Sequence, residues 1–286
     1  MMGTLIRTTL KDAERLLLTG PQPDRARQDA DLLMRYLLRK NKVWLLGNRE
    51  KQISSAEAGT YLRLVERRRR GEPVQYIMRS VEFFGITLAV TPSVLIPRPE
   101  TEHLVEKAID LTSHFPNPRI VDIGTGSGAI PIALAHELPQ TATISAIDLS
   151  RSALRIARFN AAGTGFADRI RFLQGDLLTP VASEKFEIVV SNPPYIPTTD
   201  CDSLSVEVRD HEPALALFAG PDGLDIYRRL IPQAFNHLVT GGYLALEIGY
   251  GQSPAIADLL ATGGFQQIEF VPDLHSIPRV AVAQRP

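Results

Sequence analysis

The sequence predicts an α/β protein in which a small all-helical N-terminal domain, a β-hairpin linker and a seven-stranded, mainly parallel sheet follow one another. Three observations carry this reading. Residues 1–80 place apolar side chains at helical spacing and contain no convincing strand. From about residue 119, short β-branched runs alternate with helix-length segments, and such alternation builds a parallel sheet because parallel neighbours need crossover connections. The charge also divides: the first 80 residues hold 17 of the 31 Lys/Arg against 9 of the 32 Asp/Glu, net +8, and the rest sums to −9.

In chain order, Leu10, Ala13 and Leu17 mark a first helix, and Ala30, Leu33, Met34, Leu37 and Leu38 a second, with Pro21 and Pro23 between them. A third starts at Ser54, whose hydroxyl can cap free backbone N–H groups while Glu57 reaches back, and runs to Arg70 before Gly71 and Pro73. The run Arg67 to Arg70 has two readings, a patch for an acidic or RNA-bearing partner or basic residues favouring the negative end of a helix. Residues 81–92 read as a hairpin around Gly85. Seven strand-like runs follow: RIVDIG, ATISAIDL, IRFLQGD, FEIVVSNPP, GGYLALEIG, FQQIEFVPD and RVAVAQ. A short Pro-containing stretch separates the last two, which predicts a terminal hairpin adding an antiparallel edge strand. The expected domains are 1–80 for a helical recognition domain, 81–94 for the linker and 95–286 for the catalytic domain.

A chain of 286 residues with 44% hydrophobic and 22% charged side chains suits one large or two modest globular domains and excludes disordered or collagen-like classes. It has no run of eighteen apolar residues, and Arg7, Lys11, Asp12, Glu14 and Arg15 interrupt any signal-like N-terminal core, so a soluble, cytoplasmic protein is expected. The single Cys201 can form no intramolecular disulfide, and no His, Cys or acidic spacing suits a metal. A net charge of −1 argues against a broadly basic nucleic-acid binder.

The chemistry gathers at strand ends. Gly124-Thr125-Gly126-Ser127-Gly128 follows the first strand of the sheet and opens a helix at Ala129; its glycines let the backbone turn sharply and approach a ligand. Their alternate spacing departs from the G-x-G-x-x-G pyrophosphate fingerprint. Asp148 ends the second strand, where a carboxylate can accept from both ribose hydroxyls, and Asp176 ends the third, within reach of a base edge. With Asp122 read as sitting in the loop itself, these carboxylates suit a nucleoside bearing positive charge, and S-adenosyl-L-methionine is such a ligand.

Asn192-Pro193-Pro194-Tyr195 ends the fourth strand, and its Pro pair takes the chain stiffly out of the ladder. A planar NH2 group must be aimed before it can attack a methyl carbon, because its lone pair is delocalised. The Asn192 side-chain oxygen and the Pro193 carbonyl can each accept one of its N–H bonds, and Tyr195 offers a flat face. No general base is required, since the nitrogen becomes acidic once methylated.

NPPY together with GTGSG resembles the S-adenosylmethionine-dependent methyltransferases that act on planar NH2 groups. Leu95-Ile96-Pro97-Arg98-Pro99-Glu100-Thr101-Glu102 and Gly71-Glu72-Pro73-Val74-Gln75-Tyr76-Ile77 narrow the resemblance to the HemK/PrmC family of N5-glutamine methyltransferases of peptide-chain release factors, over essentially the whole chain. The resemblance implies a Rossmann-like class I methyltransferase domain and, as substrate, the glutamine of the Gly-Gly-Gln loop of class 1 release factors. It places Gly124 to Gly128 at the methionine part of the cofactor, Asp148 at the ribose, Asp176 and Leu177 at the adenine, and Asn192 to Tyr195 at the substrate amide, with Asn192 also beside the cofactor. Leu177 stands where an aromatic residue is common, so apolar contact replaces stacking.

Further residues have open roles. Arg98, Glu100 and Thr101 either line the substrate entrance or pin the linker, and Glu207 to Pro213 lies where a lid could cover the substrate. His211 invites a general-base role that the chemistry does not need, and Glu247, ending the fifth strand, has no identified partner. An adenine or cytosine amino-methyltransferase of DNA or RNA would use the same tetrapeptide, but such enzymes usually carry a basic groove, and the catalytic part sums to −9. A catalytically idle binding module is the other rival, and the intact NPPY speaks against it.

Overall fold

A computed structural model describes residues 3–286, which fall into two compact units. The first takes in the chain through Ser80 together with Ser203–His211, a segment that lies inside the expected catalytic span. Its helices are α1 (Ile6–Leu17), α2 (Ala26–Leu38), α3 (Lys42–Gly47), α4 (Ser55–Arg69) and α5 (Val74–Met78). The two shortest, α3 and α5, escape a periodicity reading. Two strands of two residues also form, β1 (Thr4–Leu5) pairing antiparallel with β2 (Gln52–Ile53), where none was expected. Ile6, Leu10, Ala13 and Leu17 of α1 pack with Leu33, Met34, Tyr61 and Val65, and the Tyr61 hydroxyl is satisfied by the Ala30 carbonyl at 2.8 Å.

The Ser54 capping box forms as expected: the Glu57 N–H donates to Ser54 Oγ at 3.2 Å, and the Ser54 N–H donates to the Glu57 carboxylate at 2.7 Å. The basic run ending α4 is not a free patch. Arg67 pairs with Glu72, Arg69 and Arg70 with Glu66, and Arg68 is buried against Asp29 and Glu207.

The second unit begins at Val81, within a hairpin of β3 (Ser80–Phe83) and β4 (Ile86–Ala89) turned by Phe84 and Gly85 with φ of 51° and 71°. Two positive φ values give the turn whose twist matches the flanking strands. Then come α6 (Glu100–Thr112), β5 (Arg119–Ile123), α7 (Ala129–Glu137), β6 (Thr143–Asp148), α8 (Arg151–Thr164), β7 (Ile170–Gln174) and β8 (Phe186–Ser191). After α9 (Val206–His211), which belongs to the first unit, follow α10 (Asp225–His237), β9 (Leu238–Glu247), α11 (Ser253–Thr262), β10 (Gln266–Pro272) and β11 (Pro278–Gln284).

The seven strands lie in the order β10-β11-β9-β8-β5-β6-β7, parallel except for β11. The antiparallel strand is therefore one place inside the edge, not at it. The burial explains why: Val280, Ala281, Val282 and Ala283 are all buried, while β10 keeps Gln266, Gln267 and Glu269 exposed and is fit to face water. Alternate residues serve opposite faces, Ile120, Ile188 and Ala245 packing with α6, α7 and α8, and Val121, Val189 and Leu244 with α10 and α11. No helix among the described residues is long and apolar enough to cross a membrane.

One buried polar residue joins the hairpin to the sheet. Asn160 of α8 accepts from the Ala89 N–H at 2.8 Å and donates to the carbonyls of Ala89 and Ser127, each at 2.9 Å. Asn160→Ala strands these buried groups, so denaturant unfolding should show a loss of about 2–4 kcal/mol. A loss below about 1 kcal/mol would contradict that assignment.

Candidate active site

The chain leaves β5 for β6 on one side, whereas β8 lies on the other, so the strand order reverses beside β5. In open α/β sheets, ligands bind in the crevice outside the carboxyl ends of the strands at such a point. A pocket opens there. Its walls include Gly124 and Gly126 from the loop after β5, Asp148 at the end of β6, Asp176 and Leu177 after β7, and Asn192, Pro193 and Pro194 after β8. Thr125 and Ser127 are buried beside the lining, and Gly128 faces α8, where a Cβ would stand 3.1 Å from that of Ala157. Tyr195 stands just outside the lining, half-buried.

Hydrogen bonds to β6 shape the glycine loop. The N–H groups of Gly124 and Thr125 both donate to the Ile147 carbonyl, at 2.8 and 3.0 Å, and that of Gly126 donates to the Asp148 carboxylate at 2.8 Å. The other Asp148 oxygen accepts from the Ser150 N–H at 2.7 Å. Burial raises the Asp148 carboxyl above its ordinary value, and these two backbone donors oppose the rise. Asp122, expected in the loop, lies inside β5 instead and is enclosed completely, with no hydrogen-bond partner in good geometry for either oxygen. Burial pushes it up to about 7, the nearby Thr125 hydroxyl opposing this in part and the Asp148 charge adding to it. Asp176 is half-exposed and pairs with Arg229, while Leu177 takes a left-handed φ of 51° that turns its buried side chain into the pocket wall.

Beyond β8, the Ser191 hydroxyl donates to the Ile123 carbonyl at 2.7 Å and ties the ends of β8 and β5 together. The Asn192 side-chain nitrogen donates to Thr101 Oγ1 at 3.0 Å, and its oxygen takes no hydrogen bond from the described residues. The chain after the tetrapeptide is held by Gln252, which donates to the Tyr195 carbonyl at 3.0 Å, and by a bridge in which Ile196 and Phe218 pair. Gly223 permits this path, since at its φ of +76° a Cβ would stand 2.3 Å from the Tyr195 oxygen.

Glu247, whose partner was not evident from sequence, accepts from the Thr101 hydroxyl at 2.6 Å and from the Tyr195 hydroxyl at 3.4 Å. Burial pushes its carboxyl up to about 7, against the pull of Thr101 and with a contribution from Glu100. Arg98 pairs with the buried Glu212 at 2.5 Å and so pins the linker rather than standing open. The segment read as a lid is anchored elsewhere: Glu207 pairs with Arg68 within the first unit, His211 belongs to that unit and is not in the pocket wall, and of Glu207 to Pro213 only Pro213 reaches the lining, which Leu215 and Ala216 just beyond it also join. Among the described residues no cluster of His, Cys, Asp or Glu could hold a metal.

This sheet order, with its one antiparallel strand inside the edge and its pocket at the switch point, defines a Rossmann-like class I methyltransferase domain carrying a helical N-terminal region. Residues 9–78 match the PrmC N-terminal domain and residues 102–207 the methyltransferase small domain. The chain belongs to the release factor glutamine methyltransferase family. It is 41% identical to the release factor glutamine methyltransferase of Moorella thermoacetica over 98% of both chains, and 40% identical to that of Bradyrhizobium diazoefficiens over 97% of this chain and 95% of that one. Among solved structures, the hMettl16 catalytic domain, bound to an RNA hairpin, superposes with a TM-score of 0.58 at 18% identity over 84% of this chain and 86% of that one. At that identity the likeness speaks for the fold alone.

Proposed function

We propose that the chain transfers a methyl group from S-adenosyl-L-methionine to the side-chain nitrogen, N5, of the glutamine in the Gly-Gly-Gln loop of a class 1 peptide-chain release factor. The observation that carries this is Asn192 in the pocket wall, its amide nitrogen already taken by Thr101, which leaves its oxygen as the group available to a substrate N–H. With the Pro193 carbonyl as second acceptor, a planar NH2 group is held with its lone pair aimed, and catalysis comes mainly from alignment. The helical N-terminal residues are the part we assign to substrate recognition, and the reaction to the cytoplasm.

The residues present fit the cofactor. Asp122 is a buried carboxyl with no good partner, and Asp148 is a second one beside it, so a cation over the glycine loop would find complementary charge. S-adenosylmethionine supplies an electrophilic methyl group on a cationic sulfur. The glycine loop would hold its methionine part, Asp148 the ribose hydroxyls, Asp176 the base edge, and Leu177 would give apolar contact to the ring.

The titration of Asp122 has a definite sign. Its carboxyl is neutral below about 7 and charged above, and a cationic ligand favours the charged form, so affinity weakens as pH falls below about 7. Calorimetry should show tighter cofactor binding at pH 8 than at pH 6, by at most about tenfold per unit, and Asp122→Asn should remove most of that dependence. An unchanged profile in the variant would contradict the role given to Asp122.

The function itself is tested by incubating the protein with labelled cofactor and, in parallel, a release factor and adenine- or cytosine-containing oligonucleotides. Label on the release factor alone is expected. Label on the oligonucleotides alone would establish the nucleic-acid reading instead.

A further inference from the structure

Three side chains that share no local sequence meet at the pocket: Asn192 after β8 in its wall, and behind it Thr101 in the first turn of α6 and Glu247 at the last position of β9. Asn192 Nδ2 donates to Thr101 Oγ1 at 3.0 Å, and Thr101 Oγ1 donates to Glu247 Oε2 at 2.6 Å. Thr101 is 4% exposed and Glu247 2%, so water does not substitute for these bonds.

We propose that Thr101 and Glu247 are positioning residues, a hydrogen-bond relay that fixes the Asn192 amide with its nitrogen inward and its oxygen presented to the substrate. The inference rests on the reading of Asn192 as the acceptor of the substrate N–H. Counting protons gives the argument. An ionised carboxylate only accepts, and a threonine hydroxyl has one proton, so Thr101 must donate that proton to Glu247. Thr101 then faces Asn192 with lone pairs alone, and only the NH2 half of the amide can pair with it. The carboxylate is held in turn by the Tyr195 hydroxyl at 3.4 Å, and the Tyr227 hydroxyl fixes the Glu247 main-chain carbonyl at 2.7 Å.

A protonated Glu247 reverses this logic. It can donate to Thr101, whose own proton is then free to meet the Asn192 oxygen, and the flipped amide presents its NH2 to a substrate NH2. Two donors then face each other, and alignment is lost.

The surroundings of Glu247 set where that reversal falls. Glu100 of α6 raises its carboxyl and Arg279 of β11 lowers it, while Thr101 and Tyr195 donate to it and Tyr227 of α10 packs against it. Burial is the largest influence and places the group at about 7.

The test uses the full chain with a release factor as substrate and reads kcat, KM, cofactor affinity and thermal midpoint. Thr101→Val should lower kcat by about 10- to 100-fold at unchanged cofactor affinity, and Thr101→Ser, which keeps the hydroxyl, should restore most of it. Wild-type kcat should fall below pH about 7, the limb belonging to Glu247. In Glu247→Gln that limb should vanish and the plateau should drop, since an amide there can support either orientation of Asn192. Wild-type kcat and pH profiles in Thr101→Val and Glu247→Gln would overturn the relay while leaving the function intact. Equal loss in Thr101→Val and Thr101→Ser, with thermal midpoints falling in step, would reduce the network to structural support and also overturn it. A wild-type protein that labels no release factor would overturn the functional reading itself.

Discussion

Asn192→Ala should reduce methyl transfer by at least about 100-fold while cofactor binding, read by calorimetry, stays within about threefold of the wild type. The loss is expected in kcat rather than in KM. In the proposed mechanism the Asn192 oxygen and the Pro193 carbonyl accept the two N–H bonds of the substrate amide, and their hold matters most when the nitrogen turns from planar to tetrahedral and positive charge develops on it. Alanine leaves one acceptor of the two and frees the NH2 group to rotate. The contacts proposed for the cofactor should survive, since Asp148, the glycine loop and Leu177 stand on other strand ends. Single-turnover measurements separate the two effects, and substantial retained turnover would show that the acceptor role is misassigned. Asn192→Asp is a sharper companion. It keeps an oxygen toward the substrate, but a second oxygen meets Thr101, whose one proton is already committed to Glu247.

The second large effect concerns stability. Arg68→Ala should destabilise the first unit by about 3–5 kcal/mol, the cost of breaking a buried ion pair and leaving one charge behind. The Arg68 side chain is 2% exposed, and its Nε donates to Asp29, equally buried, at 2.5 Å. A second nitrogen donates to the Glu72 carbonyl at 3.2 Å and also pairs with Glu207. Without Arg68, Asp29 keeps only the half-exposed Arg25 at 3.6 Å. Denaturant unfolding followed by circular dichroism should show the loss, with Arg69→Ala and Arg70→Ala as controls of little effect because both pair with Glu66 at the surface. A loss below about 1 kcal/mol for Arg68→Ala would contradict the burial argument.

Those four arginines mark the limit of what local sequence can say. A run of like charge at a helix end reads equally well as a binding patch or a solvated terminus. What decides is that Asp29 and Glu207, 39 residues before and 139 after Arg68, come to meet it. Where the determinants are local, the sequence was sufficient: Ser54 with Glu57 located the start of a helix, Gly85 a hairpin turn, and the β-branched runs all seven strands of the sheet. The last pairing was legible as a hairpin but not in its placement, because only packing distinguishes the buried Val280 to Ala283 strand from the half-exposed one before it.

The site divides in the same way. Strand-end motifs located Gly124, Gly126, Asp148, Asp176 and Asn192 to Pro194, the family resemblance added Leu177, and all of these meet in one pocket wall. Thr101 and Glu247 were singled out, but the bonds that join them to Asn192 did not announce themselves. Thr101 is 91 residues from Asn192 and 146 from Glu247, and Asn160 is 71 from Ala89, so nothing in any one window links them. A Glu closing a buried strand was the one available signal, since an acidic side chain seldom sits fully enclosed without a specific partner.

The proposed transfer to a release-factor glutamine is met most directly by mass spectrometry of the Gly-Gly-Gln peptide after incubation with S-adenosylmethionine. The expected result is one added methyl group on that glutamine, fragment ions placing it on the side-chain nitrogen, and none with Asn192→Ala. An unmodified glutamine in the presence of cofactor-binding wild-type protein and a competent release factor, or a methyl group on another residue, would contradict it.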